Sequence, residues 1–299
     1  SDITPIRKTS TDSITFAATD GSSTLAVTDS SNGVVAGDFV TFSGAATLGG
    51  LITATVLNQE YQVSGVTSAN VYSVVAKDTD GVAVTANSSD SGNGGSGVDG
   101  LYQINVGLDT EVGGTGWGAG TWGRSTWGSG TDISTTTELR IWSHDNFGED
   151  LLINPRDGGV YYWDASATNA FTTRAVEIST LTGASDTPTV AKQIMVADNS
   201  RHVIAFGTNT LGTTVQDSLL IRFSDQESFL DWTPKATNSA GDLRIGSGSN
   251  FVRAIETKRE ILIWTNSSLQ TMQYLGPPFV YGIQPLASNI TIMGANAVA

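Results

Sequence analysis

Residues 194–207 read IMVADNSRHVIAFG: an apolar run, a polar turn, and a second apolar run that closes on an aromatic. The same plan recurs in LLINPRDGGVYYWD (151–164) and in VRAIETKREILIWT (252–265). Short apolar runs bounded by turn residues describe strand–turn–strand units. Trp163, Phe206 and Trp264 mark equivalent positions, 43 and 58 residues apart. A recurrence of about 40–50 residues, with one aromatic-rich β-meander per unit, is a β-propeller signature. A β-sandwich with chance placement of aromatics is the alternative. Three units cannot close a ring, because propellers use about four to eight blades.

Outward from these repeats the chain remains strand-like. ELRIWSHD (138–145), SLLIRFSD (218–225) and SLQTMQYLG (268–276) are further apolar or aromatic runs. Towards the N-terminus the runs are less aromatic: SITFAAT (13–19), TLAVTD (24–29), DFVTFSG (38–44), YQVSGV (61–66) and VYSVVA (71–76). Asp-Gly or Asn-Gly pairs at 20–21, 32–33 and 80–81 punctuate them as hairpin turns would. SSDSGNGGSGVDG (88–100) has the composition of a flexible linker.

The expected fold class is therefore mostly β: a propeller-like β-meander body carrying an inserted small β-sandwich or barrel-like domain. Residues 1–8 are expected to form a strand of the body and 9–100 the inserted domain. Residues 101–299 complete the body, with a Gly/Trp loop at 113–131. An insertion needs its two chain connections close together. The strands around Ile6, in ITPIRK (3–8), and Ile104, in LYQINVG (101–107), should thus be antiparallel neighbours.

Composition narrows the function. The 299 residues are 39% hydrophobic, enough for a sizeable core, and include 34 glycines. The net charge is −14, spread evenly: ten acids against three bases in 1–108, and nineteen against twelve in 109–299. Tight nucleic-acid binding needs clustered Lys and Arg, which are missing here. An acidic surface repels polyanions, which is useful where DNA must slide past without sticking. With no cysteine there is no disulfide scaffold and no thiol-ligated zinc. No stretch approaches the roughly 20 apolar residues of a membrane span, and no signal peptide is visible. The chain opens on Ser1 inside a strand-like segment, as a processed or partial chain would.

No catalytic pattern emerges. Ser143, His144 and Asp145 are sequential, so along a strand their side chains diverge and form no relay. His202 sits at a hairpin turn and reads as structural. Asp225, Glu227 and Asp231 cluster in SDQESFLDW, read as a charged loop capped by Trp232, although a glycosidase pair could use such acids. DTDG (78–81) lacks the distal Glu of a calcium loop and reads as a turn. GNGGSG (92–97) lacks the strand–helix context of a dinucleotide loop. The expectation is no enzyme, no cofactor and no metal.

FGEDLLINPRDGGVYYWD (147–164) resembles a family of tailed-bacteriophage structural proteins. The likeness continues through RHVIAFGTNTLGTTVQDSLLIRFSDQESFLDWTPKATNSAGDLRIGSGS (201–249) and TKREILIWTNSSLQTMQYLGPPFVYGI (257–283), and back over WGAGTWGRSTWG (117–128). DFVTFSGA (38–45) with VLNQEYQV (56–63) resembles the small β-domain such proteins carry as an insertion. The chain is similar, over nearly its whole length, to the tail nozzle (tail tubular protein B) family of short-tailed phages.

The resemblance implies a virion tail component assembled in the host's reducing cytoplasm. Six copies would form a tapered tube beside an adaptor and other tail proteins, and DNA would cross its lumen without tight binding. Family nozzles are longer chains, so further blades would come from outside residues 1–299. The alternative is a tail protein that recognises a host glycan receptor; a glycan-cleaving enzyme is a third possibility.

Within GWGAGTWGRSTWGSGT (116–131), Trp117, Trp122 and Trp127 are five residues apart. That spacing fits neither one helix face nor one strand face. They are candidate interface residues, since aromatics anchor contact surfaces. Packing on their own domain and stacking on sugars are the other two readings.

Overall fold

The computed structural model describes residues 2–90, 94–107, 140–170 and 172–298. The chain is almost all β and divides into two compact units: Thr4–Leu139, and Ser1–Ile3 together with Arg140–Ala299.

The first unit holds seven strands: β1 (Ile6–Ser10), β2 (Thr15–Ala18), β3 (Thr24–Thr28), β4 (Phe39–Ser43), β5 (Glu60–Ser68), β6 (Val71–Val75) and β7 (Asp99–Gln103). They pair in the order β1-β7-β4-β5-β6-β3-β2. β3 alternates exposed and buried residues, as the sequence TLAVT dictates, and β2, β4 and β6 bury alternate residues in the same way. Those inward residues, Phe16, Leu25, Val27, Phe42, Tyr61 and Tyr72 among them, join one core. β5 pairs with β4 through Glu60–Gln62 and with β6 from Val63 onward, with register shifts flanking Gly65. Such irregularities bend a strand, letting one sheet fold over a single core.

Ile6 pairs with Gln103 and Lys8 with Tyr102, antiparallel, so the segments around Ile6 and Ile104 are neighbours as anticipated. The boundary lies elsewhere than expected. Residues 6–10 and 99–103 belong to the small unit's sheet, and only residues 1–3 stay with the larger unit. The cause is local. Lys8 bonds Asp29 at 2.9 Å and Arg7 bonds the Asn32 carbonyl at 2.8 Å, which ties β1 to the small core's own loops. Ile3 instead accepts the Ala175 N–H at 3.1 Å, and Asp2 pairs with Arg174.

The larger unit consists of three four-stranded antiparallel sheets in series. The first holds β8 (Trp142–Phe147), β9 (Asp150–Pro155), β10 (Tyr161–Trp163) and β11 (Val176–Glu177). The second holds β12 (Gln193–Val196), β13 (Val203–Phe206), β14 (Leu220–Phe223) and β15 (Gly241–Arg244). The third holds β16 (Phe251–Glu256), β17 (Ile261–Thr265), β18 (Ser268–Tyr274) and β19 (Tyr281–Ser288). Each is an up-and-down meander in chain order, the form of a propeller blade. No closed ring of sheets forms among the described residues.

Two cores join these sheets. Leu152 and Ile178 meet Ile194, Val196, Val203 and Ala205 between the first and second sheets. Met195, Ile204, Phe206 and Ile221 meet Phe251, Ala254, Ile263 and Met272 between the second and third. The first three strands of the middle sheet are buried on both faces, which is why QIMV, VIAF and LIRF are continuous rather than alternating runs. Phe206 stacks on Phe251 at 5.2 Å across the second core.

The aromatic repeat needs one correction. Phe206 and Trp264 lie on the second strands of their sheets, β13 and β17, whereas Trp163 lies on the third strand of the first, β10. The first sheet begins one strand earlier, at WSHDNF (142–147). The first half of that strand was expected, in ELRIWSHD (138–145), but it stands outside the two-run repeat because Ser143 to Asn146 are polar; it joins β9 through a two-residue turn, with Gly148 at φ 73°.

Candidate functional site

The first strands of the three sheets, β8, β12 and β16, line a cavity of about 300 Å³. Its walls include Trp142, His144, Asp145, Gln193, Arg253 and Glu256. A first strand bonds its sheet on one edge only, so alternate main-chain groups point away unpaired. Side chains from the neighbouring sheet satisfy them. The Ser143 hydroxyl accepts the Ile194 N–H at 3.0 Å, and the Asp145 carboxylate accepts the Val196 N–H at 2.9 Å. Gln193 accepts the Ala254 N–H at 2.9 Å and donates to the Ala254 carbonyl at 2.8 Å. The Glu256 carboxylate accepts the Asp198 N–H at 3.1 Å. Burial, with the nearby Asp198 and Asp145 charges, raises the Glu256 pKa above its ordinary value.

These bonds settle the fate of the Ser143-His144-Asp145 triplet. Ser143 and Asp145 hold the second sheet, while His144 is exposed. The three form no relay.

A different Asp, Ser and His do meet. Ser239 Oγ donates to Asp225 at 2.7 Å and lies 3.0 Å from His202 Nε2. The order is acid–hydroxyl–imidazole, so the hydroxyl proton points to the carboxylate and the imidazole does not sit between them as a relay requires. His202 is wholly buried among Phe223, Tyr274 and Tyr281, and burial lowers its pKa despite the Asp225 charge. Asp225 and Ser239 border an open cavity of about 850 Å³ with Glu227, Asn238, Pro277 and Pro278.

The other expected candidates have structural places. Asp231 holds Lys235 at 3.0 Å and Asn238 at 3.1 Å. Trp232 is a core residue rather than a loop cap: it is 1% exposed and its ring lies 6.0 Å from the buried Arg222. Asp78 accepts the Asp80 and Val82 N–H groups, as a turn residue does. Trp117, Trp122 and Trp127 lie outside the described residues, as does the start of GNGGSG. Among the described residues no group of three or more His, Asp or Glu is poised for a metal, and no helix is long and apolar enough to cross a membrane.

Sequence reasoning passed over Gln193, Asn154 and Arg253. Asn154 Nδ2 donates to the carbonyls of Pro155, Gly158 and Gly159 at 2.9–3.0 Å. The available signal was a polar residue standing inside an otherwise apolar strand. Such a residue, once buried, must find partners.

No protein-family model matches this chain, nor does any curated protein. Among solved structures it is similar to "Phage phi92 endosialidase", at 12% identity and a TM-score of 0.26. The match covers 89% of this chain and 35% of that one, so this chain spans about a third of its length. A likeness that weak defines neither fold nor activity.

Proposed function

We propose that this chain is a structural subunit of a bacteriophage tail, a nozzle or tail-tube component. It assembles as a ring-shaped homo-oligomer, with six copies implied by the sequence resemblance, and DNA crosses the ring during ejection. The reading is non-enzymatic and needs no cofactor. The resemblance along 117–128, 147–164, 201–249 and 257–283 supports it. One structural observation carries it furthest. Ser143, Asp145 and Gln193, polar side chains at the heart of the propeller-like body, bond neighbouring main chain and thereby serve as scaffold. The net charge of −14 suits a channel that DNA passes without adhering.

Immunogold electron microscopy of virions that carry this chain tests the reading. Label confined to the tail is the expected result; label on the head overturns it.

Host-glycan recognition is the second reading, and one feature favours it. The cavity beside Asp225, Asn238 and Ser239 offers several hydrogen-bonding groups, and the neighbouring Phe279 is 75% exposed. Convergent polar groups beside an exposed ring suit a sugar. Binding on a glycan array that Phe279→Ala abolishes would favour it over the tube.

A further inference from the structure

His202 touches both walls of the open cavity of about 850 Å³. One wall is the loop after β14, with Asp225, Gln226, Glu227 and residues 235–239; the other is the turn after β18, with Pro277, Pro278 and Val280. His202 Nε2 lies 3.0 Å from Ser239 Oγ of the loop wall. Its ring packs on Tyr274 and Tyr281, which pair at the base of the turn.

Hydrogen-bond counting fixes the state of the imidazole. Ser239 Oγ has one proton and two lone pairs. The proton goes to the Asp225 carboxylate at 2.7 Å, and one lone pair takes the Gln226 N–H at 3.0 Å. The other lone pair is left for His202, so Nε2 carries the proton of the neutral ring. Nδ1 is then where a second proton adds.

A charge is costly there. The ring is wholly buried against Phe223, Tyr274 and Tyr281, and a buried ion needs a counter-charge or water. Asp225 stays ionised, because bonds from Ser239 and Gln226 outweigh its burial, but it is reached across Ser239. Burial raises the Tyr281 pKa, so its hydroxyl, 2.5 Å from Ser200 Oγ, keeps its proton. Arg201, on the same turn as His202, pairs with Glu227 at 3.8 Å, and both are exposed. Glu256, Arg259 and Glu260 share a cleft of about 20 Å³ with Ser200, Tyr274 and Tyr281, room for about one water. Most of the ion's solvation must therefore come past Ser239, from the open cavity or from Asp225. Residues 234–237 beyond it are exposed and hang on Asp231, through Lys235 at 3.0 Å and Asn238 at 3.1 Å.

We propose that His202 is a proton-operated latch on this cavity. Neutral, it holds Ser239 and with it the loop wall; protonated at Nδ1, it releases Ser239, and residues 234–239 open towards solvent. The latch does not depend on what the cavity holds. Burial lowers the His202 pKa, against Asp225 and the Ser200 main chain, which places the change below about pH 6.5. Opening hydrates the ring and relieves that depression, so proton uptake favours the open loop.

Hydrogen exchange of the 299-residue chain, read by mass spectrometry with rates divided by their intrinsic values, tests it. The Gln226 and Ser239 N–H groups donate within the hub, so peptides spanning 224–240 report on it. Their opening is expected to rise at least about fivefold from pH 7 to pH 5, over and above any change in β13. His202→Gln keeps an amide donor for Ser239 and is expected to hold the opening within about twofold over that range. Opening indifferent to pH in the wild type overturns the inference, and so does a full rise in His202→Gln. If that variant misfolds, His144→Gln leaves His202 as the one histidine for imidazole nitrogen NMR. The Nε2–H form at pH 7, titrating where 224–240 opens, is expected. The Nδ1–H form, or a midpoint apart from the opening, overturns the latch.

Discussion

Gln193 grips Ala254 at both ends of its peptide geometry: its amide oxygen takes the N–H at 2.9 Å, and its amide nitrogen gives to the carbonyl at 2.8 Å. Gln193 is 4% exposed and Ala254 fully buried, so water cannot replace these bonds. Gln193→Leu keeps the bulk but leaves two buried main-chain groups unpaired, at about 1–3 kcal/mol each. Urea unfolding should therefore show a loss of at least about 2 kcal/mol. A loss below about 0.5 kcal/mol would mean the staple contributes little beyond packing.

His202 predicts a pH dependence. Burial holds its folded pKa below the ordinary value of 6.5, with Asp225 opposing. Below that pH the unfolded chain takes up a proton that the folded chain resists. The contribution is therefore whole above about pH 6.5 and is lost as pH falls towards the folded pKa, at up to about 1.4 kcal/mol per unit. Tryptophan-monitored melting should show a midpoint that falls from pH 7 to pH 5, with a shallower slope in His202→Gln. Glu256, whose pKa is raised, acts in the opposite sense and is common to both proteins. Equal slopes would rule His202 out as the titrating group.

Asp29 makes the corresponding prediction for the small unit. Burial pushes its pKa up, but bonds from Ser10, Lys8 and Tyr102 outweigh it and hold the carboxyl below 3.8. The stabilisation is present above about pH 4 and is lost as pH falls through the lower, folded value. Asp29→Asn should remove about 2 kcal/mol at neutral pH and flatten the acid response, seen as faster hydrogen exchange in β1 and β3. Exchange rates unchanged by the substitution would contradict this.

Trp117, Trp122 and Trp127 are proposed to be shielded on assembly. Each ring can bury on the order of 150–250 Å². That gain offsets the ordering of a glycine-rich backbone, at about 1–2 kcal/mol per residue. The triple Ala variant should keep its circular dichroism spectrum and lose oligomer. Normal assembly would sink the interface role.

Much of the fold was legible from local pattern. LLINP, QIMV, VIAF and ILIWT have the short apolar runs of buried strands, and each of the three repeats fell within one sheet. The strand at 142–147 was expected in ELRIWSHD (138–145), but its polar end and its place as the first strand of the repeat were not: Ser143, His144, Asp145 and Asn146 are polar where the strand borders a cavity and staples a neighbour. The unit boundary was hidden for a related reason. IRKTS looks like any edge strand, and its ties to the small unit are distant in sequence: Asp29 lies 21 residues past Lys8 and Asn32 lies 25 past Arg7. The polar network of the site was least visible. A Gln in a strand announces that it needs partners, but its partner lies 61 residues away and is main chain. Main-chain acceptors carry no sequence signature.

Negative-stain imaging of the purified chain at micromolar concentration bears most directly on its role as an assembly subunit. Class averages showing ring-shaped homo-oligomers around a central channel are the predicted result. Single-copy particles with no ring at any concentration would contradict it.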